Sequence, residues 1–320
     1  MAATIDSKPL LKLAPVMQDA SVSVIAPAAS AKLELAERGM KNLRALGLSP
    51  RLGHHAFQKG PLYFAGTAAQ RLEDLHAAFA DEQSSAVMSL RGGYGSNYLL
   101  DGLDLELIRK HPKPFFAYSD LTGIQLRLLD QLGLPAFHGP MVAADFSKEK
   151  GVHLPSFHSA LAGEPYSLGL AEGLRVLKSG RIFNRVRGTL YGGCLSILVS
   201  LLGTPYEPQT EGKLLFLEDT GAKPYQVDRM LWQLRQAGKL AGVRGIVFGE
   251  MLDCVSPGAS PHLLEEVILR MFEDFDGPVA IGLRSGHVSH GNVTLTLGAE
   301  AELILTDEAE LHLLQPTVTR

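Results

Sequence analysis

Apolar residues in the first half of the chain fall into two alternating patterns: short continuous runs and helical stripes. Ser21 to Pro27, with Val22, Val24 and Ile25, is a run that predicts a buried strand. Leu33, Ala36, Met40 and Leu43 then recur at helical spacing, with Ser30 as a candidate cap and Gly47 as the stop. Thr67 to Ala80 predicts a second helix with Leu72, Leu75 and Phe79 inward. Ala86 to Leu90 predicts the next strand, and a helical stretch follows to about Lys110. Phe115-Phe116-Ala117-Tyr118 is another apolar run. After it, Leu121, Ile124, Leu128 and Leu132 form a stripe closed by Gly133, and Ala136 to His138 is a further strand. Strands alternating with helices through short turns imply an α/β, doubly wound, mostly parallel sheet covered on both faces.

From Ser147 to about Arg187 the periodicity weakens, and Gly163, Pro165, Gly169, Gly173 and Gly180 interrupt it. This stretch predicts a helix plus a linker. Beyond it, strands are expected at Lys213 to Leu217, Gly245 to Gly249, Pro278 to Leu283, Val293 to Leu297 and Ala301 to Leu305. A helix is expected from Pro224 to Gly238. The tight Gly298-Ala299-Glu300 connection makes the last strands antiparallel. The expected organisation is an amino-terminal α/β domain over 1–160, a linker over 161–187 and a smaller mixed α/β domain over 188–320.

Composition narrows the function classes. Of 320 residues 46% are apolar and 20% charged, which is ordinary for a soluble globular protein. The net charge of −4 gives no electrostatic reason to bind nucleic acid or an anionic membrane. Cys194 and Cys254 are isolated, so they read as reduced thiols rather than a zinc site, and no metal or cofactor is expected. No apolar run reaches the ~18 residues of a membrane span, and Met1 to Pro15 lacks the apolar core of a signal peptide. A cytoplasmic protein is expected.

Ser119 follows a buried strand and precedes a helix, so its hydroxyl stands at a sheet's carboxyl edge before the positive end of a helix dipole. Serine hydrolases of several folds place their nucleophile this way; a plain helix N-cap also places a serine there. A nucleophilic serine needs a base and an orienting acid. Glu218 ends the run Leu214-Leu215-Phe216-Leu217, and His287 follows the strand Pro278 to Leu283, both again at strand ends. Asp219 and Asp120 compete with Glu218, and His290 with His287. Arg91-Gly92-Gly93-Tyr94-Gly95 ends a strand too. It reads as a phosphate cradle, an oxyanion hole completed by the Asp120 N–H, or an ordinary turn. It has neither P-loop nor Gly-x-Gly-x-x-Gly spacing.

Taken together, the blocks resemble the LD-carboxypeptidase (muramoyltetrapeptide carboxypeptidase) family. They are Val24-Ile25-Ala26-Pro27-Ala28, Leu90-Arg91-Gly92-Gly93-Tyr94-Gly95-Ser96, Ala117-Tyr118-Ser119-Asp120-Leu121-Thr122, His138-Gly139-Pro140 and Gly192-Gly193-Cys194-Leu195-Ser196. Leu202-Gly203-Thr204-Pro205-Tyr206, Leu217-Glu218-Asp219-Thr220 with Asp228-Arg229-Met230-Leu231, and Gly286-His287 with Leu297-Gly298 continue the series. Their joint order, from about Val22 to Leu305, is more specific than any one of them. The resemblance implies a triad of Ser119, Glu218 and His287, an oxyanion hole from the backbone of Gly93 and Asp120, and a site between two domains. It also implies a homodimer that removes the terminal D-alanine of murein tetrapeptide. Arg91 and Tyr94 are candidates to bind that peptide, Arg91 through its terminal carboxylate. Relatives that hydrolyse a peptidyl-nucleotide of the microcin C type set one alternative; a non-catalytic anion-binding protein is another. Cys194 stands where the family usually has asparagine, and Thr296 near where it usually has proline.

Overall fold

The computed structural model describes residues 9–255, 258, 260 and 262–314, so residues 1–8 of the stretch read for a signal peptide lie outside it. The first half contains strands β1 (Ser21–Ile25), β2 (Ser49–Leu52), β3 (Ser84–Ser89), β4 (Phe115–Ala117) and β5 (Ala136–His138). Helices α1 (Leu33–Ala45), α2 (Ala68–Ala80), α3 (Leu105–Lys110) and α4 (Thr122–Leu132) connect them. The second half contains α5 (Leu154–Ala162), β6 (Tyr166–Leu168), β7 (Arg175–Lys178), β8 (Arg185–Cys194) and α6 (Leu195–Ser200). Then come β9 (Lys213–Glu218), α7 (Pro224–Gln236), β10 (Gly245–Gly249), α8 (Leu263–Met271), β11 (Val279–Leu283), β12 (Leu295–Leu297), β13 (Glu300–Leu305) and β14 (Ala309–Leu313).

Two sheets result. The first runs β12-β5-β4-β3-β1-β2. Its strands β1 to β5 are all parallel, and only β12 is antiparallel. This is the doubly wound order 2-1-3-4-5, whose connections reverse direction between β1 and β3. A crevice opens at that reversal, at the carboxyl ends of the strands. The second sheet runs β6-β14-β13-β8-β9-β10-β11-β7. Its centre, β8 to β11, is parallel; β13, β14, β6 and β7 are antiparallel flanks.

Helix α4 lies between the two cores. Its predicted stripe of Leu121, Ile124, Leu128 and Leu132 enters the first core. Leu126 and Leu129, on its other side, enter the second. Burying such a leucine contributes about 2 kcal/mol of transfer free energy, so α4 joins the sheets as well as carrying the Ser119 turn. Gly133, at φ 70°, ends it in the left-handed cap expected.

Several expectations change. Ser30 does not cap α1; its hydroxyl donates to the Phe64 carbonyl at 3.1 Å, and Lys32 occupies the cap position. The stretch 161–187, expected as a linker, contributes β6 and β7, both outer strands of the second sheet. Strand β12 is not paired with β13. It crosses to the first sheet and pairs with β5, because Leu295, Thr296 and Leu297 lie opposite His138, Phe137 and Ala136. Strand β13 instead pairs antiparallel with β14, a strand not read from the sequence.

Candidate active site

Strand β4 continues through the extended Tyr118 and breaks at Ser119, whose φ is +65°. A non-glycine residue pays on the order of 1 kcal/mol or more for that conformation. The turn it makes is sharp: the chain passes at once into a short 3-10 turn, Ser119–Leu121, and then α4. Neither the 3-10 turn nor α4 has a side-chain N-cap, so the Ser119 hydroxyl is not spent on capping. The glycine loop after β3 presses on it. A Cβ at Gly92 would stand 2.8 Å from the Ser119 Cβ and 3.0 Å from its Oγ. Gly93 follows at φ 108°. Two hydrogen bonds lock the glycine loop to the serine turn: Ser96 N–H donates to Asp120 Oδ2 at 2.8 Å, and the Ser96 hydroxyl donates to the Asp120 carbonyl at 2.6 Å. Asp120 is therefore occupied with the loop and does not serve a histidine. Behind it, Arg71 donates to the carbonyls of Pro27 and Gly95, at 3.0 and 2.8 Å.

Glu218, at the end of β9, is fully buried. Its Oε2 accepts from His287 Nδ1 at 2.8 Å and from the His287 backbone N–H at 3.0 Å. An ionised carboxylate only accepts, so Nδ1 carries the hydrogen and Nε2 is left as an acceptor. Gly286 makes the approach possible. It has φ +90°, and a Cβ there would lie 2.5 Å from the Glu218 Cδ. Burial opposes ionisation of Glu218, but the two histidines and the hydrogen bonds outweigh it and hold its pKa below the ordinary carboxylate value. For His287, burial favours the neutral ring; Glu218, Asp219 and Asp145 outweigh it and raise the pKa. A second histidine, His138 at the end of β5, faces the other oxygen: its Nε2 is 4.0 Å from Glu218 Oε1. His138 is fully buried, and burial pushes its pKa down to about 4, so it is neutral near pH 7.

Ser119 and His287 line one cavity of about 500 Å³, together with Arg91, Gly92, Gly93 and Tyr118. It opens at the reversal between β1 and β3. Tyr118 is buried, with its ring edge-on to His287 at 5.2 Å between centroids. The rival groups are elsewhere. His290 is exposed and contacts the Ser289 hydroxyl at 3.0 Å. Asp219 accepts from the backbone N–H groups of Ser196 and Thr220. Tyr94 lies outside the cavity, in a partly exposed cluster with Tyr63, Phe64 and Tyr98. Cys194 is buried, with Sγ 3.3 Å from the Ser196 hydroxyl and 3.9 Å from Asp219 Oδ2. Among the described residues no group of three or more His, Cys, Asp or Glu could hold a metal ion. No described helix is long and apolar enough to cross a membrane. Arg71, Asp145 and Asn292 were not singled out in the sequence; His138 stood there in the block His138-Gly139-Pro140, at the end of an apolar run, without a role.

The chain matches the family models for the LD-carboxypeptidase N-terminal domain over residues 22–139 and C-terminal domain over 187–303. It is 36% identical over 284 residues to a probable murein peptide carboxypeptidase of Bacillus subtilis, covering 88% of each chain. It is 34% identical over 282 residues to the murein tetrapeptide carboxypeptidase of Pseudomonas aeruginosa, covering 84% of this chain and 88% of that one. Among solved structures, the muramoyltetrapeptide carboxypeptidase of Oxalobacter formigenes superposes with TM-score 0.80 at 28% identity, over 92% of this chain and 99% of that one. An MccF-like protein of Bacillus anthracis superposes with TM-score 0.85 at 26% identity, over 95% and 99%. With both domain models matched in order along most of its length, the chain belongs to the LD-carboxypeptidase family.

Proposed function

We propose that the protein is a serine carboxypeptidase that removes the terminal D-alanine of murein tetrapeptide by cutting the L,D-peptide bond, and that it works as a cytoplasmic homodimer. One observation carries the reading: the strained, uncapped Ser119 shares a cavity with His287, whose Nδ1 is held by the buried Glu218. In this reading His287 Nε2 takes the Ser119 proton as the hydroxyl oxygen attacks the carbonyl carbon. The amides of Gly93 and Asp120 hold the resulting oxyanion, a contribution of about 3 kcal/mol per donor. His287 then gives the proton to the leaving amine of D-alanine. Water, deprotonated by the same ring, releases the acyl group from Ser119. Glu218 holds the ring in the productive tautomer and stabilises its cation. Arg91 neutralises the terminal carboxylate. A division into 1–160 and 188–320 belongs to the same proposal, with 161–187 adding outer strands to the second sheet, the nucleophile from the first unit and the acid–base pair from the last.

The homologues' names support the peptide substrate. The cavity lining supports it as well. Among the described residues the rings that line it are the buried Tyr118 and the part-buried His287, which the proposed reaction already uses, so no exposed Tyr, Phe or Trp of the lining is offered to a nucleotide base. The test is mass spectrometry of murein tripeptide, tetrapeptide and pentapeptide after incubation with the protein. The tetrapeptide is expected to lose one alanine while the tripeptide is unchanged. Ser119→Ala should slow this by roughly four to six powers of ten with the fold intact. An unchanged tetrapeptide, or a folded Ser119→Ala protein with normal turnover, overturns the reading. Light scattering tests the dimer, which should give twice the chain mass.

A further inference from the structure

The cavity of Ser119 and His287 extends along a groove between α1 and the turn Val142–Phe146. Two features of the sequence build that groove. Gly39 is the contact point: a Cβ there would lie 2.0 Å from the Val142 carbonyl oxygen, so only glycine lets α1 approach so closely. Asn42 Nδ2 donates to the Phe146 carbonyl at 2.7 Å and fixes the pair. On α1 and its cap, Lys32, Leu35 and Arg38 follow each other at intervals of three and so share one face. Opposite them, Lys148 leaves the 142–146 turn. The walls are apolar, from Leu35, Ala143 and Ala144, and the rim is cationic.

Lys32, Arg38, Arg91 and Lys148 all line this cavity, against a single carboxylate, Glu149. None of the four is in an ion pair among the described residues. Surface cations of this protein elsewhere are often paired, for example Arg51 with Asp81 and Arg270 with Asp228. A concave, low-dielectric wall carrying one sign of charge focuses the field on whatever enters it. The whole chain is net negative, at −4, so the local excess of cations is not a general basic character. Arg91, next to the Gly92 that packs on Ser119, answers in the carboxypeptidase reading to the terminal carboxylate. The other three need a second anionic group.

We propose that Lys32, Arg38 and Lys148 form a subsite for a carboxylate of the peptide that is remote from the bond being cut, and so select acidic peptides. This rests on the carboxypeptidase reading above. The probes are two synthetic tetrapeptides that end in D-alanine and differ only at the second residue, one carrying a free carboxylate (D-isoglutamate) and the other its amide (D-isoglutamine). Steady-state kinetics is measured for the wild type, Arg38→Gln, Lys148→Gln, the double variant and Arg38→Lys. The wild type should prefer the carboxylate peptide by about tenfold or more, the range of one charge-assisted hydrogen bond. The preference should lie in KM, with kcat similar for both. It should weaken in high salt, because the rim is solvent-facing. The double variant should lose the preference, and Arg38→Lys should keep most of it. Equal kcat/KM for both peptides in the wild type overturns the subsite alone, as does a double variant that still discriminates. Turnover of neither peptide overturns the carboxypeptidase reading, and the subsite with it.

Discussion

His287 stands between opposing influences. Burial favours its neutral ring, while Glu218, Asp219 and Asp145 favour its cation, and the balance raises its pKa. A general base must be neutral, so kcat/KM should rise with pH through a midpoint above the ordinary histidine value of about 6.5. His287→Ala should lose roughly four powers of ten or more, whereas the exposed His290→Ala should stay within about threefold, the range of a surface change. The opposite ranking would identify the wrong histidine. Asp145 tests the electrostatics separately. It is fully buried, accepts from the Met141 N–H at 2.9 Å, and lies 3.4 Å from the Tyr118 hydroxyl. Burial pushes its pKa up to about 6, with the Met141 bond and Lys148 pulling the other way. Above that pH it is a carboxylate that helps raise the His287 pKa. Asp145→Asn should therefore move the acid limb of kcat/KM to lower pH with little change in the plateau. The linkage has a definite sign. An acid whose folded pKa is raised binds more protons folded than unfolded, so wild-type stability falls as pH rises from about 4 to about 6, on the order of 2–3 kcal/mol. The asparagine variant should lack that fall. Parallel stability curves in urea across pH 4–7 for the two proteins would contradict the assignment.

At the scale of elements, the loop carrying His287 is held by residues far from it in sequence. Asn292 and Gly291 donate backbone N–H groups to the Gly151 and Lys150 carbonyls, at 2.9 and 2.7 Å. The Thr294 N–H donates to the Ser156 hydroxyl at 3.0 Å, and the Tyr166 hydroxyl donates to the Thr294 carbonyl at 2.7 Å. Within the loop, Asn292 Oδ1 accepts the buried Gly286 N–H at 3.0 Å. Asn292→Ala leaves that donor unpaired and should cost about 1–3 kcal/mol. It should also lower kcat more than it raises KM, because Gly286 sets the distance between His287 and Glu218; an unchanged kcat would show that the loop is held without it. These contacts show what was legible in the sequence and what was not. Strands β1, β3, β4, β5, β9, β10 and β11 were legible because parallel strands buried on both faces read as unbroken apolar runs. The Ser119 turn was legible because a run changes to a helical stripe at one residue. Strand β8 was not read, since Arg185 and Arg187 open it and Gly188, Gly192 and Gly193 interrupt it. Strands β6 and β7 are short outer strands whose exposed residues give no alternation. The partners of His287 in 150–156 and at Tyr166 are more than a hundred residues away, and no local pattern encodes them.

On the scale of the whole molecule, the two sheets are not separable bodies joined by a hinge. Strand β12, from the second half, supplies the last strand of the first sheet through Leu295, Thr296 and Leu297. Helix α4, from the first half, gives Leu126 and Leu129 to the second core, and β5 adds Ala136. Tyr191 on β8 donates its buried hydroxyl to Asp130 on α4 at 2.8 Å, and the Cys194 N–H donates to Thr122 at 3.2 Å. Unfolding either sheet alone would expose these apolar residues and strand the buried polar groups. Each large apolar side chain re-exposed costs about 1.5–3 kcal/mol, and each orphaned buried polar group about 1–3 kcal/mol. Their sum is comparable with the 5–15 kcal/mol that stabilises a typical domain. The protein is therefore expected to unfold in one transition despite its two sheets. Trp232 is on the exposed face of α7, a helix whose Val227, Leu231 and Leu234 pack in the second core, whereas α1 to α3 serve the first. Fluorescence of this single tryptophan should thus follow the same denaturant midpoint as the far-ultraviolet dichroism of the whole chain. A tryptophan transition clearly displaced from the dichroism curve would mean that the halves unfold independently. In that case the facing of Ser119 toward His287 and Glu218 would depend on a weaker interface than the shared strand and helix provide.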